Sequence, residues 1–340
     1  VKTFIIAEIG VNHNGRLDLA LQLVEAAAAA GAHAAKFQTF KADAITVKNA
    51  ETVAYQKAAT GSQDQHSMLK ALELSEDEHR AVAARCRELG IEFMSTAFDS
   101  QSLDMLCDIG LRRIKVPSGE ITNAPYLRAC AARKLPIVLS TGMASLAEVK
   151  TAVEIVSETQ AAFDMEEPRL TVLHCTSAYP TELDDVNLLA MRTMADELQL
   201  PVGYSDHTRG IFVAPIAVAM GARVIEKHIT LDRQMPGPDH SASIEPDELR
   251  SMVKAIADAE ALLGNGVKEP RDIEVEARRL VRRGLKVTRD LPEGAVISAS
   301  DLAILRPASG LSPDRLDSVI GKRTTRPLFV GEPIEQSDIL

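Results

Sequence analysis

The chain has 340 residues, 46% of them hydrophobic, and a formal net charge of −10. That apolar content supports a sizeable core and excludes a disordered chain. The acidic balance, with no long basic run, argues against nucleic-acid and membrane-surface partners, so an anionic ligand would need a local basic pocket.

The N-terminal stretch Val1-Lys2-Thr3-Phe4-Ile5-Ile6-Ala7-Glu8 turns charged too early for a signal peptide. No apolar run reaches the ~18 residues of a membrane span. Cys86, Cys107, Cys130 and Cys175 show no CxxC spacing. They read as reduced core thiols of a cytoplasmic protein, with a catalytic cysteine as the alternative.

Short β-rich apolar runs begin near Phe4, Ala34, Glu92, Arg113, Pro136, Thr171, Val202 and Arg223. Between them lie amphipathic stretches such as 17–30, 77–89, 146–157 and 247–263. Ser75-x-x-Glu78 reads as a helix capping box, and Gly31, Gly90 and Gly110 as helix stops. Eight strand–helix repeats in about 260 residues predict an α/β fold, a (β/α)8 TIM barrel. A doubly wound open sheet would require an early Gly-rich phosphate fingerprint, which is missing.

The pattern changes after Gly264. The expected organisation is a barrel domain at 1–265, a charged linker at 266–283 and a small β-rich domain at 284–340. The last part carries an internal repeat: 287–297 returns as 325–334, and each copy is followed by Ser-Asp-(Leu/Ile). A domain of about 60 residues is near the lower limit of independent stability, so it would lean on the barrel or on a partner subunit.

Polar groups collect where the predicted strands end. In chain order they are Glu8, Lys36-Phe37-Gln38, Ser95-Thr96, Lys115 with Ser118-Gly119-Glu120, Ser140-Thr141, and His174 to Tyr179. Strands seven and eight add Ser205-Asp206-His207 and Glu226-Lys227-His228. The carboxyl ends of barrel strands share one face, the usual place of the active site. Two imidazoles, His207 and His228, on adjacent strand ends could hold one divalent metal with positions left open for substrate. The bland alternative is that they only cap strand ends. Lysines are rarely buried without an anionic partner, so Lys36 and Lys115 inside apolar strands suggest a bound anion. The competing expectation is buried ion pairs with Glu8, Glu120 or Glu226. After strand eight, Pro236-Gly237-Pro238 makes a rigid turn beside Asp239, which could reach a metal or a hydroxyl.

These residues resemble the sialic acid (N-acetylneuraminate, nonulosonate) synthase family. The matches include 7–15, Lys36-Phe37-Gln38-Thr39, Ser118-Gly119-Glu120, Leu139-Ser140-Thr141-Gly142-Met143, His174-Cys175-Thr176, Tyr204-Ser205-Asp206-His207-Thr208, Glu226-Lys227-His228 and Pro236-Gly237-Pro238-Asp239-His240. The tail is similar to the family's antifreeze-like (SAF) domain, with Leu305-Arg306-Pro307 at its arginine motif. The resemblance implies an enzyme that condenses phosphoenolpyruvate with N-acetylmannosamine or a related N-acylated amino sugar. The products would be a nine-carbon 2-keto acid and phosphate.

The resemblance also implies site roles. His207 and His228 would hold Mn2+ or Mg2+. Lys36, Thr96, Lys115, Ser118, Ser177 and Ser205 would bind phosphoenolpyruvate. Gln38, Glu120, Tyr179 and Asp239 would touch the sugar, and Arg306 would reach its acyl group across a domain-swapped homodimer. Glu8 would act near the attacking water or the aldehyde, and Glu120 is the other carboxylate candidate. Some family members carry Asn where this chain has Ser177.

Rival expectations differ in chemistry. A sugar-phosphate acceptor would need arginines at the barrel mouth, where Arg209 and Arg233 are the candidates. A Schiff-base aldolase could use Lys36, Lys115 or Lys227. A tail acting alone would be a glycan-binding module. A 2,4-diacetamido-trideoxyhexose would make the enzyme an N,N'-diacetyllegionaminate or pseudaminate synthase. The loops at 50–67 and 179–187 would read that difference.

Overall fold

The computed structural model describes residues 2–47, 64–161 and 169–340. Residues 50–63 of the first sugar-reading loop lie outside them. The chain forms two compact units, Val1–Gly264 and Asn265–Leu340.

In the first unit eight parallel strands close into a barrel in chain order. They are β1 (Phe4–Gly10), β2 (Ala34–Thr39), β3 (Glu92–Ala97), β4 (Ile114–Val116), β5 (Ile137–Ser140), β6 (Leu170–His174), β7 (Val202–Asp206) and β8 (Val224–His228). Each begins within a residue of its expected position. A helix follows every strand, from Leu17–Ala30 after β1 to Pro246–Leu263 after β8. The Ser75 capping box forms, and Gly90 closes its helix in the left-handed region at φ 71°. Ser145 and Glu148 form a second capping box.

Strand alternation divides the apolar residues between two layers. Outward-facing Ile5, Ala7, Phe37, Leu139 and Ile225 pack against the surrounding helices. Inward-facing Ile6, Ala34, Met94, Val138, Leu173 and Val224 fill the lower barrel with Phe4. On β7 the inward position at this level is Gly203. A Cβ there would lie 2.6 Å from Leu173 Cδ2 and would also overlap the Val224 carbonyl oxygen. This apolar plug makes the lower barrel a packed core and leaves the next inward ring, nearer the carboxyl ends, as the floor of an open mouth.

The second unit is built on an antiparallel pair, β9 (Gly284–Val287) and β10 (Leu302–Leu305). Its own core contains Leu285, Val287, Leu291, Ile297, Val319, Leu328 and Ile334. The sequence repeat is a structural repeat. Arg289 Nε donates to Asp301 at 2.6 Å and Arg326 Nε to Asp338 at 2.7 Å. Thr288 and Thr325 each donate their hydroxyl to a backbone carbonyl, of Ser300 and Ser337, at 2.8 Å. The segment expected as a charged linker, 266–283, carries a 3₁₀ turn, Asp272–Glu274, and a helix, Val275–Val281. Among the described residues no helix is long and apolar enough to cross a membrane.

Candidate active site

One ring above the apolar plug, every inward position becomes polar. β1 contributes Glu8, β2 Lys36 and Gln38, β3 Thr96, β4 Lys115 and β5 Ser140. Beyond the end of β6 come Cys175, Ser177 and Tyr179, and β7 and β8 add Ser205, His207, Glu226 and His228. With Ser118 from the turn after β4, all of them line one pocket of about 310 Å³. Parallel register sets their order: Glu8 pairs with Lys36 on one side and His228 on the other, Gln38 with Thr96, Thr96 with Lys115, and Ser205 with Glu226.

The two lysines are 2% and 3% exposed, and both are paired with carboxylates. Lys36 Nζ lies 2.6 Å from Glu8 and 3.5 Å from Glu226, and Lys115 Nζ lies 3.5 Å from Glu226. Buried ion pairs with Glu8 and Glu226 therefore exist, without Glu120. Lys36 donates to Thr96 Oγ1 at 3.1 Å and Lys115 to Ser140 Oγ at 2.8 Å. Burial drives the Glu8 carboxyl upward against the pull of Lys36. Burial opposes charge on Glu226 as well, but Lys115, Lys36 and the Ser205 hydroxyl outweigh it and hold that carboxyl low. The two acids thus differ: Glu226 stays ionised, and Glu8 is the one poised to carry a proton.

The histidines face each other across the rim, with ring centroids 5.6 Å apart and planes at 62°. The Tyr179 ring lies near both, tilted at 4.2 Å from His207 and edge-on at 5.6 Å from His228. Burial pushes both imidazoles below the usual range, toward the neutral form, and at His228 the His207 ring adds to this. His207 Nδ1 lies 2.7 Å from the Thr176 carbonyl, which can only accept, so the ring proton sits there. Ser205 gives its one proton to Glu226 at 2.9 Å and has none for His207 Nε2, 3.3 Å away. The neutral ring therefore presents a bare lone pair. His228 Nδ1 also has no hydrogen-bond partner. His207 Nε2, beside Ser205, and the unpartnered His228 Nδ1 are the nitrogens that would hold a divalent cation, and the Thr176 carbonyl supplies the outer contact that fixes a ligating ring. Among the described residues no set of three or more His, Cys, Asp or Glu is arranged to hold a metal ion.

The NeuB family profile matches residues 23–268, and a SAF domain matches 282–340. The chain is 53% identical to the N,N'-diacetyllegionaminic acid synthase of Legionella pneumophila, over 96% of this chain and 92% of that protein. The chain belongs to the NeuB family. It is an enzyme of the sialic acid synthase type, with a (β/α)8 barrel and a SAF domain. The N,N'-diacetyllegionaminic acid synthase of Campylobacter jejuni is 43% identical over 96% of both chains. Among solved structures, the N-acetylneuraminic acid synthetase of Leptospira borgpetersenii in complex with citrate is 37% identical. That match covers 82% of this chain and 90% of the other, with a TM-score of 0.71.

Within this NeuB-family barrel most of the expected residues meet at the pocket, and Glu120 and Asp239 do not line it. Glu120 sits in the turn Ser118–Glu120 and accepts the Asn123 side-chain amide at 2.7 Å. Asp239 is buried behind the rim, its Oδ2 4.0 Å from His228 Nδ1, with burial raising its carboxyl to about 6. Arg306 follows β10 in the other unit and is exposed. Lys227 alternates to the outside of the barrel, where it is fully buried, 2.9 Å from Asp206 and donating to the Thr208 carbonyl. It has no access to the mouth as a Schiff-base nucleophile. No arginine lines the pocket among the described residues. Arg233 instead pairs with Glu248.

Sequence reasoning gave Phe98 and Met143 no role, and it named Ser140 and Cys175 at strand ends without assigning either to the substrate site, although all four line the pocket. The period-two count from Val138 and Leu173 reaches Ser140 and Cys175 and could have placed them on the inward face. Met143 has a left-handed backbone at φ 66°, uncommon away from glycine, and carries no such periodic signal.

Proposed function

We propose that this chain condenses phosphoenolpyruvate with a 2,4-diacetamido-trideoxyhexose, producing N,N'-diacetyllegionaminate and phosphate. The observation that carries the reaction is the pair of buried lysines set among hydroxyls on a rim that also bears two bare imidazoles. The identity to legionaminate synthases along nearly the whole chain favours this sugar. The Leptospira likeness is the ground for a second reading, with N-acetylmannosamine as the acceptor.

Phosphoenolpyruvate brings a carboxylate and a phosphate. Lys36 and Lys115 take these charges, and Thr96, Ser118, Ser140 and Ser177 donate to their oxygens, an arrangement suited to charge-assisted hydrogen bonds, while Ser205 binds beside them with its proton on Glu226. Gln38 and Tyr179 orient the sugar, with Asp239 behind them. His207 and His228 would hold Mn2+ or Mg2+, which when bound supplies Lewis acidity toward the sugar aldehyde.

The C3 carbon of phosphoenolpyruvate attacks the aldehyde carbon and the new alkoxide gains a proton. That attack uses the C2–C3 π bond and leaves C2 electron-deficient; water adds there and loses one proton, and the C2–O bond to phosphate then breaks, the phosphate taking the remaining hydroxyl proton and leaving the 2-keto acid. Glu8 is the proton carrier in this account, since it lines the pocket and burial favours its neutral form. Glu120 does not line the pocket, and Glu226 is held ionised. A positioned acid or base of this kind contributes about 10²- to 10⁴-fold.

The proposal extends to a homodimer in which each SAF domain closes the partner's barrel and Arg306 reaches the acyl group, and to a cytoplasmic setting. The test is phosphate release from phosphoenolpyruvate with a panel of amino sugars. The diacetamido-trideoxyhexose of the legionaminate type is expected to exceed N-acetylmannosamine in kcat/KM by about ten-fold or more, the scale of a few lost contacts. A preference for N-acetylmannosamine would overturn the sugar assignment, and release with no sugar would overturn the reaction.

A further inference from the structure

Three side chains crowd the backbone of Gly142, where β5 runs into its loop. A Cβ there would lie 2.9 Å from Ser118 Oγ and 3.2 Å from Cys175 Sγ, and would overlap Ser177 Oγ. Glycine is what lets β4, β5 and β6 bring these groups together at the floor of the mouth. Ser118, Cys175 and Ser177 all line the pocket, next to Lys115 and Ser140.

The hydrogen count at Ser118 is informative. Its Oγ accepts the Gly142 N–H at 2.9 Å, a donor fixed by the backbone. Cys175 Sγ lies 3.3 Å from the same oxygen. Either atom can donate in this contact, and once an anion in the pocket takes the Ser118 proton the S–H to oxygen direction is the one that remains. With both incoming donors in place the hydroxyl has one proton left to give. Neither neighbour can use it well, and the open direction is the pocket.

We propose that Cys175 is a positioning residue that turns the Ser118 hydroxyl toward the substrate anion. Resting on the phosphoenolpyruvate reading above, this gives a buried thiol a part in substrate binding without contact with the reacting carbons. Losing the thiol frees the Ser118 rotor, and the donor then has to be oriented at the moment of binding.

The test is calorimetric binding of phosphoenolpyruvate to the full chain and to C175A, C175S, S118A and the S118A/C175A double variant. Melting curves check folding, and C175V replaces the alanine variant if that one is unstable. C175A is expected to weaken binding about ten-fold, the scale of one hydrogen bond to a charged group, and C175S to restore it to within about two-fold. In the S118A background C175A is expected to add nothing, because its effect runs through Ser118. In turnover, KM for phosphoenolpyruvate rises while kcat holds. Wild-type binding by C175A overturns the proposal, as does a loss of equal size with and without Ser118. Binding in the expected pattern with no turnover of any amino sugar contradicts the reaction and leaves the positioning role standing. A wild-type chain that does not bind phosphoenolpyruvate overturns both.

Discussion

Lys36→Met is expected to lower kcat/KM for phosphoenolpyruvate by about 10³-fold or more, read from initial rates of phosphate release. Removing one oriented donor from a dry site costs about 10²- to 10³-fold, and here the donor also carries the charge. In the free enzyme Lys36 bridges Glu8 and Glu226. Its loss leaves Glu226 with Lys115 alone and removes the main force holding Glu8 ionised. Glu8 then protonates, so the fold escapes most of the penalty of an unpaired buried charge while the anion site loses its cation. Lys227→Met is the contrast. The Lys227–Asp206 pair is buried outside the barrel wall. Breaking it strands Asp206 and is expected to destabilise by about 3–5 kcal/mol, seen as a lower melting temperature, with KM for phosphoenolpyruvate unchanged.

His207→Ala and His228→Ala are expected to separate binding from turnover. Each should reduce kcat by about 10³-fold or more, as removal of Lewis-acid assistance does, while the calorimetric affinity for phosphoenolpyruvate changes by less than about three-fold. The lysines that hold the anion do not pair with either ring, although Ser205 stands 3.3 Å from His207. Chelation of the wild type should mimic the variants. Added Mn2+ or Mg2+ should restore the wild type and leave both variants inactive. Full activity in His207→Ala would remove the metal assignment.

Much of this was legible in the chain because barrel strands write their geometry as period-two alternation. Ile6–Glu8, Ala34–Lys36, Val138–Ser140 and Val224–Glu226–His228 each climb from the apolar plug to the polar ring in steps of two. The same count places Lys227 on the opposite face, so its neighbours in Glu226-Lys227-His228 reach the pocket and it does not. Glu226 could be foreseen only as one of three possible lysine partners. Its ionised state depends on two lysines and a serine from three other strands, a convergence that no local pattern encodes. Glu120 follows Ser118 and Gly119 closely, but the 3₁₀ turn carries it away from the pocket lining toward Asn123. The helix Val275–Val281 was hidden by charge: its residues are exposed, so it lacks the apolar stripe that identifies a packed helix. The tail repeat was visible because the arginine–aspartate pairs, Arg289 with Asp301 and Arg326 with Asp338, recur at the same spacing.

The most direct test is a crystal structure of the protein with phosphoenolpyruvate and Mn2+, recorded for anomalous scattering of manganese. The account predicts an anomalous peak within coordinating distance of His207 and His228, and the phosphate and carboxylate oxygens on Lys36 and Lys115. Manganese bound away from both imidazoles, or phosphoenolpyruvate seated anywhere but on those two ammonium groups, would contradict it.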